Sequence, residues 1–180
     1  ENGFRPIPIP HGQKGPRITG WQARTFCRDD FAERSNVGVL CGPLNVAFLD
    51  IDVTDEAVAE AIVAEWQRRH AGTWMQRTGK APKTGLPFRF TAKGERKRTL
   101  NLGEIGKVEV LADGQQFVAF GMHPDTGKPY RWHGLDPLDT FLGTAEMLPE
   151  ITPDDVDSFL AWARDTFGAQ KPLESLSQRA

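Results

Sequence analysis

Cysteine is scarce in this chain. Its 180 residues include two, Cys27 and Cys41. That is too few for a disulfide scaffold, and their spacing is not that of a CxxC-type four-ligand zinc site. Two reduced thiols in a cytoplasmic protein are expected. Long apolar runs are missing too. None approaches the roughly 18 residues that a membrane-spanning helix needs, so no membrane partner is expected. There is no opening methionine and no signal-peptide pattern. The chain begins at Glu1, and the expectation is a processed or trimmed piece of something longer. Net charge is small, with 22 basic and 24 acidic residues and a balance of -2, which argues against an indiscriminate polyanion binder. No internal repeat or heptad is present.

What remains is ordinary globular material, 39% hydrophobic and 26% charged. It is enough for one domain with a buried core. We expect that domain over residues 1–168, and a polar tail or linker over 169–180. The charges are unevenly spread. Between Arg77 and Arg98 lie eight basic residues, opposed only by Glu95. Acids concentrate in Asp50 to Glu65 and Glu146 to Asp165. A basic segment gathered on one surface can hold a polyanion even in a neutral protein.

The Pro- and Gly-rich FRPIPIPHGQKGPRITGW reads as an extended arm, because proline removes ladder donors. NVGVLCG and NVAFLDIDV read as strands, joined as a hairpin through Gly42-Pro43-Leu44. Thr54 opens a helix whose apolar stripe runs through Ala57, Val58, Ala61, Ile62, Ala64 and Trp66, with Gly72 ending it. Thr73 to Thr78 is strand-like, Gly79 to Gly85 a loop, Leu86 to Thr91 a strand, and Lys93 to Arg98 a turn or exposed edge. Lys107 to Leu111 alternates as a strand does. Asp113-Gly114 signals a hairpin turn, with Gln115 to Phe120 returning. HPDTGK is another turn, followed by a short strand, Pro129 to Trp132. A last helix runs from Thr152 to Phe167, with Pro153 at its favoured first position. Helices segregated over a mainly antiparallel sheet make an α+β (mixed α/β) fold.

Asp50-Ile51-Asp52 closes an apolar strand. Residues two apart on a strand point the same way, so both carboxylates aim at one place. Paired carboxylates are costly to desolvate, and a hard divalent cation such as Mg²⁺ or Mn²⁺ offsets that cost. The plainer reading makes one Asp a helix cap and leaves the other solvated. Glu109 lies on the opposite strand face from Val108 and Val110. It is a third ligand if that face lines a cleft, and an ordinary surface glutamate if not. Three carboxylates around two metals about 3.5–4 Å apart serve phosphoryl and nucleotidyl transfer. Arg77, Lys80, Lys83 and Arg89 flank a Gly/Pro loop and suit phosphate oxygens. Lys93, Arg96, Lys97 and Arg98 form either a solvated basic edge or a nucleic-acid contact. His123, Tyr130 and Trp132 can hold a sugar, base or phosphate, although the two aromatics also suit ordinary sheet packing.

Together and in order, GQKGPRITGW, NVGVLCG with VAFLDID, and VEVLADGQQFVAFGMHPDTGKPYRW resemble the bifunctional DNA primase/polymerase domain of phages and plasmids, within the archaeo-eukaryotic primase superfamily. The similarity spans about Gly12 to Trp132. It implies an RRM-like antiparallel catalytic sheet with helices on one face, plus a small N-terminal α/β unit. It implies that Asp50, Asp52 and Glu109 are the catalytic, metal-ligating residues for two Mg²⁺ or Mn²⁺ ions. The second motif departs from the family. Where many members carry a phosphate-binding histidine, this chain has RTGKAPKTGLPFRF. Triphosphate binding is therefore assigned to Arg77, Lys83 and Arg89, with His123 taking part of the missing histidine's role, and template tracking to Lys93, Arg96, Lys97 and Arg98.

The expected function is template-directed DNA primase/polymerase activity, by two-metal nucleotidyl transfer onto a primer or first nucleotide. Its partners would be single-stranded DNA template, primer and nucleoside triphosphates. A helicase domain further along the full-length chain and a host-cell cytoplasmic location complete the expectation. The rivals are a metal-dependent nuclease and a non-catalytic single-strand-binding module of a replication initiator. A sugar-nucleotide transferase is more distant, since it leaves the basic segment unexplained.

Overall fold

Apolar residues in Val46–Val53 occur at every position but the two aspartates, so one face of that strand is wholly greasy and the other is mixed. A computed structural model describes residues 2–72, 74–134 and 143–168. In it the strands are β1 (Pro6–Ile9), β2 (Asn36–Leu40), β3 (Val46–Val53), β4 (Met75–Lys80), β5 (Lys83–Phe90), β6 (Arg98–Asn101), β7 (Gly106–Leu111), β8 (Gln116–Phe120), β9 (Arg131–Gly134) and β10 (Glu150–Ile151). The helices are α1 (Glu56–Arg69) and α2 (Pro153–Phe167). The larger sheet runs β6-β7-β3-β5-β4-β9, with β10 alongside β5, and the smaller runs β1-β2-β8. All pairs are antiparallel except β10 with β5. The fold is α+β, with two helices against one face of the larger sheet.

Strand alternation decides which face meets what. Ala47, Leu49, Ile51 and Val53 are fully buried and pack with Val58, Ile62 and Trp66 of α1 and with Val156 and Phe159 of α2. Trp66 anchors this layer, its ring lying 5.2 Å from Phe88 and 4.7 Å from Phe159. On the opposite face Val46 and Phe48 pack against Val39, Phe117 and Ala119 of the smaller sheet. The Phe48 and Phe117 rings stack at 4.1 Å. Beyond Phe48 the same face of β3 carries Asp50 and Asp52. The sandwich of two sheets therefore opens into a cleft at the carboxylates.

Several local expectations need correction. β2 and β3 do not form a hairpin, and they belong to different sheets. The connection contains Leu44 and Asn45, both at positive φ (53° and 59°), and this turns the chain out of one sheet into the other. β7 and β8 likewise part at Asp113-Gly114, and β8 crosses to pair with β2. Gly79 to Gly85 is not a loop. β4 and β5 run into it and reverse at Ala81-Pro82, with Lys80 opposite Lys83. Part of the N-terminal arm is a true strand: β1 takes a sheet edge, where proline is tolerated. Asp55, not Thr54, caps α1 by accepting from the Val58 N–H at 3.0 Å. Thr152 caps α2 as expected. Glu1, Thr73 and the tail at 169–180 lie outside the described residues.

Candidate active site

The register of the central strands builds the acidic side of the cleft. Asp50 is the direct partner of Glu109 across β3 and β7, and Asp52 is the partner of Lys107. Antiparallel partners leave the sheet on the same face, so Asp50, Asp52 and Glu109 share it. Across β5, Asp50 faces Gly85. A Cβ there would collide with the Phe48 ring and stand 2.8 Å from the Leu49 carbonyl.

Every carboxylate has a cationic neighbour. Lys83 Nζ lies 2.5 Å from Asp52 Oδ1, and Arg77 Nη2 lies 3.9 Å from Asp50 Oδ1. Lys97 and Lys107 hold the two oxygens of Glu109, at 2.8 and 3.0 Å. Thr99 Oγ1 adds a hydrogen bond to Glu109 at 3.2 Å. Burial pushes the Asp50 carboxyl up from its ordinary value. Arg77 opposes that shift, Asp52 and Glu109 add to it, and Lys107 opposes it. Burial would also raise Glu109, but the hydrogen bonds from Lys97 and Lys107 overcome it and hold this carboxyl below its usual range.

The cationic side centres on Arg77. Its guanidinium is sandwiched between Phe48 and Tyr130, 4.8 and 4.9 Å from the ring centroids, an arrangement favoured by the rings' quadrupoles. Nη1 donates to the Val118 carbonyl. Nε is buried and has no hydrogen-bond partner among the described residues. Burial lowers the Arg77 pKa, against the pull of Asp50.

His123 opens the HPDTGK turn, which is closed by His123 N–H to the Lys128 carbonyl at 2.8 Å. Buried Asn36 ties this turn in place: its Oδ1 accepts from Met122 N–H, and its Nδ2 donates to the Met122 and Gln13 carbonyls. His123 Nδ1 accepts from Asp125 N–H at 3.2 Å, so the ring proton sits on Nε2. Burial, then Lys14, hold this imidazole below its ordinary 6.5; Asp125 opposes them, and Lys80 and Arg77 lower it further.

These groups line one cleft of about 190 Å³, which holds Asp50, Asp52, Arg77, Lys83 and His123 together with Lys14, Lys80 and Tyr130. Glu109 stands beside it. Arg89 lies elsewhere. Its Nε donates to the Leu44 carbonyl, its Nη1 to the Glu146 carbonyl, and its Nη2 pairs with Glu150. With Lys93 it lines a separate hollow. Arg98 turns toward α2, bonded to Asp157 at 2.6 Å and Glu95 at 2.9 Å and stacked over Phe90. Lys97 is on the Glu109 side, and Arg96 is exposed. Sequence reasoning left Lys14 and Lys107 without a role. Lys14 stood in the quoted GQKGP motif, and Lys107 alternates with Glu109. Both signals were present.

The donor set suits a hard divalent cation: carboxylate oxygens only, on one face, at adjacent register positions. Asp52 Oδ1 is buried and accepts no well-formed hydrogen bond among the described residues, so the Lys83 ammonium beside it is its counter-ion by charge alone. Among the described residues no three acidic, histidine or cysteine side chains are gathered into a ready-made cage. The oxygens are turned toward lysines, and holding metal requires those ammonium groups to move aside.

A family model described as bifunctional DNA primase/polymerase, N-terminal, matches residues 1–141. No curated protein matches the chain. Among the described residues no helix is long and apolar enough to cross a membrane.

Proposed function

The chain belongs to the bifunctional DNA primase/polymerase family, and from that premise we propose that its cleft joins nucleotides on a DNA template by two-metal nucleotidyl transfer. A primase/polymerase-type role in replication follows from the family. The chemistry is our reading. One observation carries it: a row of three carboxylates on one sheet face adjoins a cluster of cations in a single cleft.

Asp50, Asp52 and Glu109 would hold Mg²⁺ or Mn²⁺. Ions bound there supply charge neutralisation and acidify the attacking hydroxyl. The chain's own side chains do the rest. Arg77 is fixed by two rings and a carbonyl, and it presents a pre-oriented guanidinium to phosphate oxygens. Lys83 and Lys14 add point charges. Neutral His123 offers its Nε2 proton to a phosphate oxygen, in place of the family's second-motif histidine. Lys93 and Arg96, both exposed, would follow a template backbone; Lys97 would join them once a metal ion takes its place on Glu109, while Arg98 stays tied to Glu95 and Asp157.

The test is incorporation of labelled nucleotides on a single-stranded template, with and without primer. Activity is expected in Mg²⁺ or Mn²⁺ and none in EDTA. Loss of nucleotides from the primer without added triphosphate would instead identify a nuclease. Chelator-insensitive DNA binding without incorporation would identify a binding module.

A further inference from the structure

We propose that Lys83 is a hand-off residue, serving as Asp52's counter-ion until a divalent cation displaces it and thereby delivering its ammonium to the incoming triphosphate. This rests on the cleft being a metal and triphosphate site. Lys83 opens β5 directly after the Ala81-Pro82 turn, and its Nζ stands 2.5 Å from Asp52 Oδ1. Their alignment is not that of a hydrogen bond, so the ammonium holds the oxygen by charge alone. Lys107, opposite Asp52 in register, is bonded instead to Glu109 Oε2. A cation on Oδ1 and Lys83 on Oδ1 exclude each other. Both side chains are about a third exposed (37% and 35%), so the lysine has room to swing. Metal and phosphate then compete for no common group. Binding of either one frees the partner that the other needs, and the coupling is reciprocal.

Two measurements test this without relying on turnover. The first is Mn²⁺ titration of the nucleotide-free protein, followed by electron paramagnetic resonance. Lys83→Met is expected to bind Mn²⁺ about 5-fold more tightly than the unsubstituted chain, at the low end of typical coupling. The second is anisotropy of a fluorescent deoxynucleoside triphosphate in EDTA. Asp52→Asn is expected to tighten binding about 5-fold by releasing Lys83, and the gain should vanish in the Asp52→Asn/Lys83→Met double variant. Asp50→Asn removes the same charge without releasing Lys83, so its effect should not depend on Lys83. Circular dichroism confirms that each variant is folded. An unchanged or weaker Mn²⁺ affinity in Lys83→Met, or an Asp52→Asn gain that persists without Lys83, overturns the hand-off alone. An unsubstituted chain that binds neither Mn²⁺ nor triphosphate overturns the parent reading, and the hand-off with it.

Discussion

Asp50 and Glu109 are direct partners across the β3–β7 ladder, so two carboxylates 59 positions apart in the chain leave the sheet side by side. Their proximity has a thermodynamic cost. Burial and the neighbouring Asp52 and Glu109 raise the Asp50 pKa. The native state therefore holds that proton more firmly than the unfolded chain does, and stability falls as pH rises through the raised value.

At neutral pH, Asp50→Asn relieves this strain. We expect incorporation to be lost while the melting temperature rises by about 2–4 °C, corresponding to about 1 kcal/mol in a chain of this size. Thermal melts and primer-extension assays on the same preparation check it. A lower melting temperature would contradict the electrostatic account.

Arg77 is held by Phe48, Tyr130 and the Val118 carbonyl. Lysine cannot reproduce a planar fork stacked between rings. Arg77→Lys should weaken triphosphate binding by about 2 kcal/mol, the scale of one hydrogen bond to a charged group, which is roughly 30-fold in Kd. Isothermal titration checks it. Retention of full affinity would remove Arg77 from the phosphate site.

Gly79 sits on β4 where a Cβ would lie 2.5 Å from Tyr130 Cε1 and 2.7 Å from His123 Cδ2. Gly79→Ala must push both rings. We expect about 1–3 kcal/mol of lost stability, the usual range for overpacking, together with a raised nucleotide KM. Urea unfolding and initial rates read the two effects separately.

Gly79 and Gly85 also explain why the sequence misled in this region. Both sit in strands because a neighbouring ring fills the place of a side chain, yet glycine, proline and lysine in close succession have the composition of a loop. The same ambiguity affected pairing. Gly42-Pro43-Leu44 and Asp113-Gly114 do turn the chain, but neither closes a hairpin. A turn residue does not say whether the next strand returns to its neighbour or passes to another sheet. What strand period alone could carry came through: Asp50 and Asp52 share a face, and Glu109 opposes Val108 and Val110. That Glu109 stands opposite Asp50 is a long-range register. It was reachable only through the family resemblance, because no local pattern encodes it. Lys97 and Lys107 as partners of Glu109 depend on the same register and were missed with it.

We expect His123 to make the fold sensitive to mild acid. Burial and the nearby Lys14, Lys80 and Arg77 keep its native pKa below 6.5, with Asp125 opposing. The unfolded chain therefore takes up the proton first. Stability is complete above about pH 6.5 and is lost as pH falls from there toward the depressed native value. His70 shifts the same way, chiefly through burial, and contributes in parallel. The lowered carboxyls of Glu65, Glu109 and Asp125 lose their contributions only below their unfolded values near 4, outside this window. Asp50 works in the opposite sense, but equally in both proteins compared. His123→Gln should therefore lose less stability than the unsubstituted chain between pH 7.5 and pH 5.5. Urea midpoints at the two pH values measure that difference, independently of whatever the substitution costs in packing against Tyr130. An equal loss in both proteins would show that His123 does not carry the acid sensitivity.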